Sequence, residues 1–548
     1  MEQLLEREKA KVEKDFYKIG GGISMIYLAI ILLIYPLYIH DGYYDILQVK
    51  FKFFWVLTLA YTVIMLAFLL LHALTLKNGM RKPLYFSLFI REEEGKKKPF
   101  LATDIPFFFL ILIFLISMIH SGYIYETWWG STGRYMGSFT WLLLFFAYFF
   151  VSRFYRFKKI HLLFLSISIA LQAAWGISDF FWMNLFHFFD LVEADYLKAS
   201  FAGGIGNING YSSLMISYTG LFAGLFIGEK QGKWSLLFLL MYAFTLLAAF
   251  YGMSDNVVFA LFVLFLALPF FCFGKKERLL NCIDLYIAFF LVMKLATFFI
   301  PKANSSYQYG DKGFFLQLGF TTVPFLAIAV LGIIKLLVVK LKEERIEKVL
   351  KPIYFLIVAL ILFAVVFVFY DANVSHRLSF LENYSNYFRF DDGWGSGRGF
   401  IWKMGLNYLT KKMPFSQVLL GYGPDGYLML TNDNYKVAIS QSPYQAIDNI
   451  HNEYLNLLLT IGVIGLISYL SLLLSSFKTL FTKKDWREEG DFSERVFPFA
   501  AGLCLLCYVS QAVINIAVPM VLPVIFILSF MGLGEKARAI GKGEISKE

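Results

Sequence analysis

The sequence predicts an all-α membrane protein with about fourteen spanning helices and one long external loop, and three observations carry that expectation. Of the 548 residues, 58% are hydrophobic and only 16% are charged, whereas soluble domains are about 45 to 50% apolar and about 25% charged. The apolar residues fall in repeated runs of about 20, the length of helix that crosses a bilayer core. The Lys and Arg residues are shared very unequally between alternate breaks in those runs, as they are when one side of a membrane retains the positive charge. This composition excludes a soluble enzyme, a secreted disulfide scaffold and a disordered chain.

Taken in order, the runs lie near 19–40, 53–76, 105–122, 138–152, 160–186, 210–229, 233–251, 255–274, 282–300, 314–339, 352–371, 452–477, 496–514 and 516–534. The hydrophilic start, Met1 to Lys18, precedes an apolar run too long for a signal peptide and without a small-residue cleavage site, so it reads as a retained first helix. With the N-terminus inside, thirty-five Lys and Arg fall in inner segments and six in short outer ones, which makes both termini cytoplasmic. The formal charge of +10 is therefore largely a topological signal, and nucleic acid is not an expected partner. The expected divisions are a multi-span region over 1–371, an extracytoplasmic loop over 372–450, closing spans over 451–534 and a cytoplasmic tail over 535–548.

The 79 residues of the long loop hold fourteen aromatic residues, Trp394 and Trp402 among them, which argues for an ordered element. From Gly399 to Lys412, Phe400, Ile401, Met404, Tyr408 and Leu409 recur near one helical face. This pattern predicts an amphipathic helix resting on the outer membrane surface.

Polar groups at membrane depth are expensive and point to function. On this topology His120, Arg134, Asn207, Asn209, Asp255, Lys294 and Asn515 all collect toward the outer side. His451 lies where span twelve opens, in Asp448-Asn449-Ile450-His451-Asn452-Glu453-Tyr454-Leu455. With Asp448 or Asn449 as N-cap, it falls in the first helical turn, where the helix dipole favours a neutral imidazole able to act as a base. An interfacial or capping role is the plainer reading of the same residue. Arg398, set among glycines in Gly393 to Gly399, suits a phosphate clamp, and lipid-headgroup contact is its plainer alternative. The turn-rich Leu420 to Asp425 suits either a pocket wall or simply a tight loop. His40, Asp41 and Asp45, or Asp391 and Asp392, offer oxygen and nitrogen ligands for a cation, although such acids in loops are usually only solvated. Cys504 and Cys507 have zinc or redox spacing, but they sit i, i+3 within the expected span 496–514 and lack a second pair, so packing is expected.

Four stretches, in this order, resemble the bacterial O-antigen ligase and O-antigen polymerase superfamily of integral-membrane glycosyltransferases. Gly206-Asn207-Ile208-Asn209 is similar to its Gly-Asn-x-Asn element, and Gly397-Arg398-Gly399-Phe400-Ile401-Trp402 to its Gly-Arg-x-x-x-Trp element. Leu420-Gly421-Tyr422-Gly423 is similar to Leu-Gly-x-Gly, and His451-Asn452-Glu453-Tyr454-Leu455 to His-Asn-x-x-Leu. Where the family often carries Ser-Arg-Gly at an outer turn, this chain has Ser254-Asp255-Asn256. An acid thus replaces an expected phosphate contact, for which Lys294, Arg134 or Arg389 are the available substitutes.

The resemblance implies a GT-C-like membrane fold and an enzyme that moves a glycan from a polyprenyl-diphosphate carrier to an acceptor hydroxyl on a glycan, lipid or protein at the extracytoplasmic face. It implies His451 as base and Arg398 as diphosphate clamp, with Lys294, Asn207, Asn209, Arg134, Asn452 and Tyr454 contacting substrate. No metal or other cofactor is needed in that scheme. Three rivals stand beside it: a lipid-linked oligosaccharide flippase, a metal-dependent glycosyltransferase using Asp41 and Asp45, and a non-catalytic scaffold of polysaccharide assembly.

Overall fold

The computed structural model describes residues 2–76, 88, 90–93, 96–99, 101–131, 133–229, 232–309, 312–379, 388–443, 447–482 and 492–545. Among these, eleven helices are long and apolar enough to cross a membrane, from Ala10–Leu37 through Glu453–Leu480 to Phe492–Gln511. The three other expected spans coincide with the shorter apolar helices Ser138–Phe154 and Asn256–Cys272 and with Leu522–Ile545. That last helix continues through most of the segment expected as a tail. The tenth run is broken into Phe314–Phe320 and Val323–Lys340. A two-stranded hairpin, which no periodicity in the sequence announces, pairs Ile90–Glu93 antiparallel with Lys96–Pro99. Several of the basic residues that orient the chain, Lys77, Arg81, Lys82, Lys483, Lys484 and Arg487, lie outside the described residues.

The helix Ile208–Gly228 is the axis of the bundle, and its apolar window is wholly buried. Small residues let its neighbour Phe492–Gln511 approach. A Cβ on Gly220 would stand 2.6 Å from Cys507 Sγ and 2.7 Å from the Leu503 carbonyl oxygen, and one on Gly224 would meet Ala500 Cα at 2.6 Å. Close backbone approach of this kind drives helix association where lipid removes the hydrophobic advantage. All four cysteines are buried and free, consistent with packing. At the other extreme, the apolar window of Glu343–Ser375 has none of its residues buried and presents its side chains outward.

Hydrogen bonds sort the connections between helices into two ends. At one end, Arg153 meets Asp104 at 2.6 Å, the Phe157 N–H donates to Glu535 at 2.7 Å, and Lys159 pairs with Glu229. At the other end, Ser254 Oγ donates to Asn209 Oδ1 at 2.6 Å, and the Asn256 and Asn515 amides reach the Asn209 carbonyl at 2.9 and 3.5 Å. Alternate connections share an end, as a chain that crosses back and forth requires. The second end carries the long loop and is called the loop end; the first is the terminal end.

The loop builds a small core of its own, separate from that of the bundle. Ile401, Met404 and Tyr408 pack with Tyr422, Tyr427, Leu430, Ile447, Ile450 and Leu459. The amphipathic helix therefore turns its apolar stripe onto the following helix Tyr427–Ser440 and onto Glu453–Leu480, where the sequence pattern predicted a membrane surface. A stripe that finds protein partners no longer needs lipid to cover it.

The helix Glu453–Leu480 is interrupted at Gly462, whose φ of 71° lies in the left-handed region. The carbonyls freed at that break accept hydrogen bonds from the loop: Tyr422 N–H donates to the Leu459 carbonyl at 2.9 Å, and Gly423 N–H to the Thr460 carbonyl at 2.8 Å. Irregular backbone inside a span is stable only when such groups are satisfied by protein. Contact is so close that a Cβ on Gly462 would stand 2.2 Å from the Leu419 oxygen, and one on Gly421 would stand 2.2 Å from the Thr460 carbonyl carbon. The glycines of Leu420 to Gly423 are thus explained by insertion into a broken helix. Gly462→Val combines left-handed strain with that clash and is expected to destabilise the protein by at least about 2 kcal/mol, read as a lower melting temperature and reduced monodisperse yield in detergent. Gly332→Val, at an open position on a helix exterior, serves as the tolerant control.

Candidate functional site

Arg398 owes its position to an unusual turn. Gly395, Ser396 and Gly397 follow one another with φ of 59°, 60° and 93°, a left-handed sequence that glycine adopts freely and serine rarely. A right-handed helix then starts at Arg398. Gly399 admits it, because a Cβ there would fall 1.8 Å from the Asp391 carbonyl oxygen. The guanidinium folds back so that one terminal N–H donates to the Gly395 carbonyl at 2.8 Å, while its buried Nε has no partner among the described residues. Burial lowers the pKa of Arg398, and the negative charge of Asp255 opposes that shift. The guanidinium stays cationic at any physiological pH. The acid found where the resemblance suggests a base is therefore a counter-charge to Arg398.

One turn further on, Trp402 Nε1 donates to the Ile450 carbonyl at 2.8 Å. Gly405 lets Ile450 pack close enough that a Cβ would meet its Cδ1 at 2.4 Å. The Arg398 helix is therefore docked on the residue that precedes His451.

His451 itself is not in the helix. Asn452 is the N-cap, its Oδ1 accepting the Leu455 N–H at 2.9 Å, and His451 stands just outside with φ of 49°. The buried Asn449 holds it there by accepting the His451 N–H at 2.8 Å. An Asx turn before the cap thus displaces the start of the helix from the position expected with Asp448 or Asn449 as cap. The imidazole pKa is lowered to about 4, by burial first and then by the positive charges of Arg398 and Arg134, with Asp448 acting against them. The ring is neutral, as the sequence predicts, but through desolvation and two guanidinium groups.

Arg134 comes from the connection before Ser138–Phe154 and grips Asp448 with two hydrogen bonds, 3.0 Å from Nε and 2.9 Å from a terminal nitrogen. Its own loop is pinned by Asp425, whose Oδ2 accepts the Ser131 and Met136 N–H groups at 2.9 and 3.1 Å. Burial raises that carboxyl's pKa to about 7. The sequence offers Asp448 only as a cap and Asp425 only as the end of a turn-rich stretch, because the partner that each one meets lies about 300 residues away. Among the other expected contacts, Asn207 caps Ile208–Gly228 by accepting the Asn209 N–H at 2.9 Å, while Asn209 joins Ser254, Asn256 and Asn515 beside Asp255. Asn452 is occupied as a cap, and the Tyr454 hydroxyl donates to the Val509 carbonyl at 2.6 Å. Lys294 donates to the carbonyls of Gly319 and Thr321 at 2.7 and 3.2 Å, at the break in the tenth run, and is not among the charges that act on Arg398 or His451. Arg389 is exposed.

Among the described residues, no group of three or more His, Cys, Asp or Glu is placed to hold a metal ion. His40 Nδ1 and Asp45 pair with each other at 3.0 Å, Asp391 accepts the Gly393 N–H at 3.0 Å, and Asp392 pairs with Lys403 at 2.8 Å. One consequence of the site is spectroscopic. With histidine isotopically labelled, the His451 imidazole is expected to stay neutral at pH 6 and to titrate near pH 4, and Arg398→Gln is expected to raise that midpoint without returning it to 6.5. The unfolded chain binds this proton near pH 6.5, so His451 opposes folding progressively as pH falls from there toward 4.

Residues 313–470 match the family model described as O-Antigen ligase. No curated protein matches the chain. The matched residues hold Arg398, the loop inserted at Gly462 and His451, whereas Arg134, Asn209 and Asp255 come from the unmatched remainder. Over this stretch, the long loop and the helices on either side of it, the chain is similar to the O-antigen ligase family.

Proposed function

We propose that the protein transfers a glycan from a polyprenyl-diphosphate carrier to an acceptor hydroxyl on the extracytoplasmic side of a bacterial cell membrane. In this reading all fourteen helices cross the bilayer, both termini are cytoplasmic, and the loop end, with 372–450, faces outward. The observation that supports it most directly is the electrostatic neighbourhood of one neutral imidazole and two guanidinium groups, His451 with Arg398 and Arg134, at the end of the bundle that carries the loop.

Chemically, the acceptor oxygen attacks the anomeric carbon while the bond from that carbon to the diphosphate oxygen breaks. His451 takes the acceptor proton as attack proceeds, and neutrality at working pH leaves its lone pair available. The diphosphate departs with an added negative charge. Arg398 is the cation for it, held in a partly dehydrated setting where its field is least screened. Asp255 lies on the far side of the same balance: with no donor bound it compensates Arg398, and an arriving diphosphate competes with it for that guanidinium. Arg134, committed to Asp448, serves mainly to hold the His451 turn. Asn209 lies near the donor-binding side, and Asn452 and Tyr454 support the His451 turn from below. Acceptors of three kinds, a glycan, a lipid or a protein, fit this chemistry.

Reconstituted with lipid-linked glycan and acceptor, His451→Ala is expected to lose about 10² to 10⁴ in transfer rate. Arg398→Ala is expected to lose a comparable factor, part of which Arg398→Lys restores. Near-full turnover by His451→Ala overturns the assignment of the base. Lipid-linked glycan that changes sides with no new glycosidic linkage identifies a flippase, and turnover abolished by chelator and restored by magnesium or manganese identifies metal-dependent transfer. Wild-type transfer is expected to hold steady between pH 7.5 and 5.5, because a base with a pKa near 4 is not lost in that window.

A further inference from the structure

At the terminal end, far from the loop, an apolar cleft of about 120 Å³ opens between the first helix and the helices near Leu165, Phe497 and Met531. Met25, Leu32, Leu165, Phe497 and Met531 line it, and Tyr155 and His161 stand at its polar margin. Met25 and Phe164, which also line it, are about half exposed, so the cleft opens toward the lipid. Cavities of roughly 150 Å³ lined by apolar side chains bind a benzene-sized molecule, and this one has room for a stretch of acyl chain.

The margin of the cleft is basic, with Arg156, Lys158 and Arg538 set beside the acids Glu535 and Glu494. Tyr155 feels the charges of both Arg538 and Glu535, and Arg156 feels those of Arg538 and Glu535 as well. Two acids act on this group: Glu535 accepts the Phe157 N–H at 2.7 Å and pairs with one edge of Arg538, and Glu494 also acts on Arg538. Arg538 also donates to the Ser152 carbonyl at 3.1 Å, yet its buried Nε has no partner among the described residues. Arg156, whose guanidinium lies 5.2 Å from the centre of the Tyr17 ring, donates among the described residues to the carbonyls of Arg153 and Tyr155. Lys158 is exposed beside them.

From this juxtaposition we infer that the cleft and its basic margin form a binding site for one anionic phospholipid, an acyl chain lying between Met25 and Leu165 and the phosphate against Arg156 and Arg538. An acyl chain gains little by exchanging bilayer for an apolar cleft, so selectivity comes from the headgroup, for which basic residues near a membrane surface supply the attraction. The site lies at the opposite end from Arg398 and His451, and does not depend on the transfer chemistry.

The test uses the full-length protein in a neutral detergent, titrated with dioleoyl phosphatidylglycerol or dioleoyl phosphatidylcholine and read by native mass spectrometry and thermal stability. Phosphatidylglycerol is expected to be retained preferentially, with a preference that falls about fivefold in Arg156→Gln, recovers in Arg156→Lys and is unchanged in the distant Lys348→Gln. Leu165→Trp, which fills the cleft, is expected to abolish retention. Equal retention of the two lipids by the wild type overturns the proposal whether or not any variant folds. So does a preference that survives Arg156→Gln, or stabilisation reproduced by glycerol phosphate alone, which denotes an anion site without a lipid chain.

Discussion

The arrangement at the loop end depends on a single backbone event, the break of the Glu453–Leu480 helix at Gly462 and the insertion of residues 419–423 beside it. A spanning helix that stops bonding to itself leaves bare carbonyls, and hydrocarbon offers them nothing. Tyr422 and Gly423 satisfy two of them, and Ser117 adds a third contact by donating to the Thr460 carbonyl at 3.1 Å. The same insertion fixes the depth at which the loop sits and lets its small core form against Leu459. Through Trp402 and Ile450 that core sets where Arg398 stands relative to His451. Three glycines, at 399, 421 and 462, permit approaches that any side chain would obstruct.

The charges at the site form an alternating series built from four separate parts of the chain. Asp255 acts on Arg398, Arg398 and Arg134 act on His451, and Asp448 ties Arg134 to the turn that carries the imidazole. Each guanidinium has an acid near it, which keeps the burial of two cations tolerable. Each also lowers the proton affinity of the histidine. In the proposed transfer, the base is thereby kept available by the same cations that suit the leaving diphosphate, so one set of charges serves both halves of that reaction.

Much of this was legible in the sequence, and what was not has a physical reason. Length and hydropathy set out the helices because a bilayer imposes the same requirement on each segment independently. The polar groups of the loop end were traceable because alternating sides follow from counting crossings. His451 and Arg398 stood out, the one beside a helix start and the other among glycines. The cap stands at Asn452, three or four residues beyond the expected Asp448 or Asn449, since all three have similar capping chemistry and only the Asx turn at Asn449 separates them. Likewise, the stripe of Ile401, Met404 and Tyr408 has the same period whether it meets lipid or protein. Pairings such as Arg134 with Asp448 and Asp425 with Ser131 are invisible to any local pattern.

The turn that bears His451 is fastened to the last part of the chain. The Glu453 N–H donates to the Ala512 carbonyl, the Glu453 carboxylate accepts hydrogen bonds from Tyr469 and Tyr508, and the Tyr454 hydroxyl reaches Val509. During synthesis three of these anchors, Tyr508, Val509 and Ala512, emerge some sixty residues after the histidine they hold. A nascent chain therefore holds the His451 turn through upstream contacts alone, from Asn449 and from Arg134 by way of Asp448, and its full set of anchors comes into being only once the penultimate helix is in place.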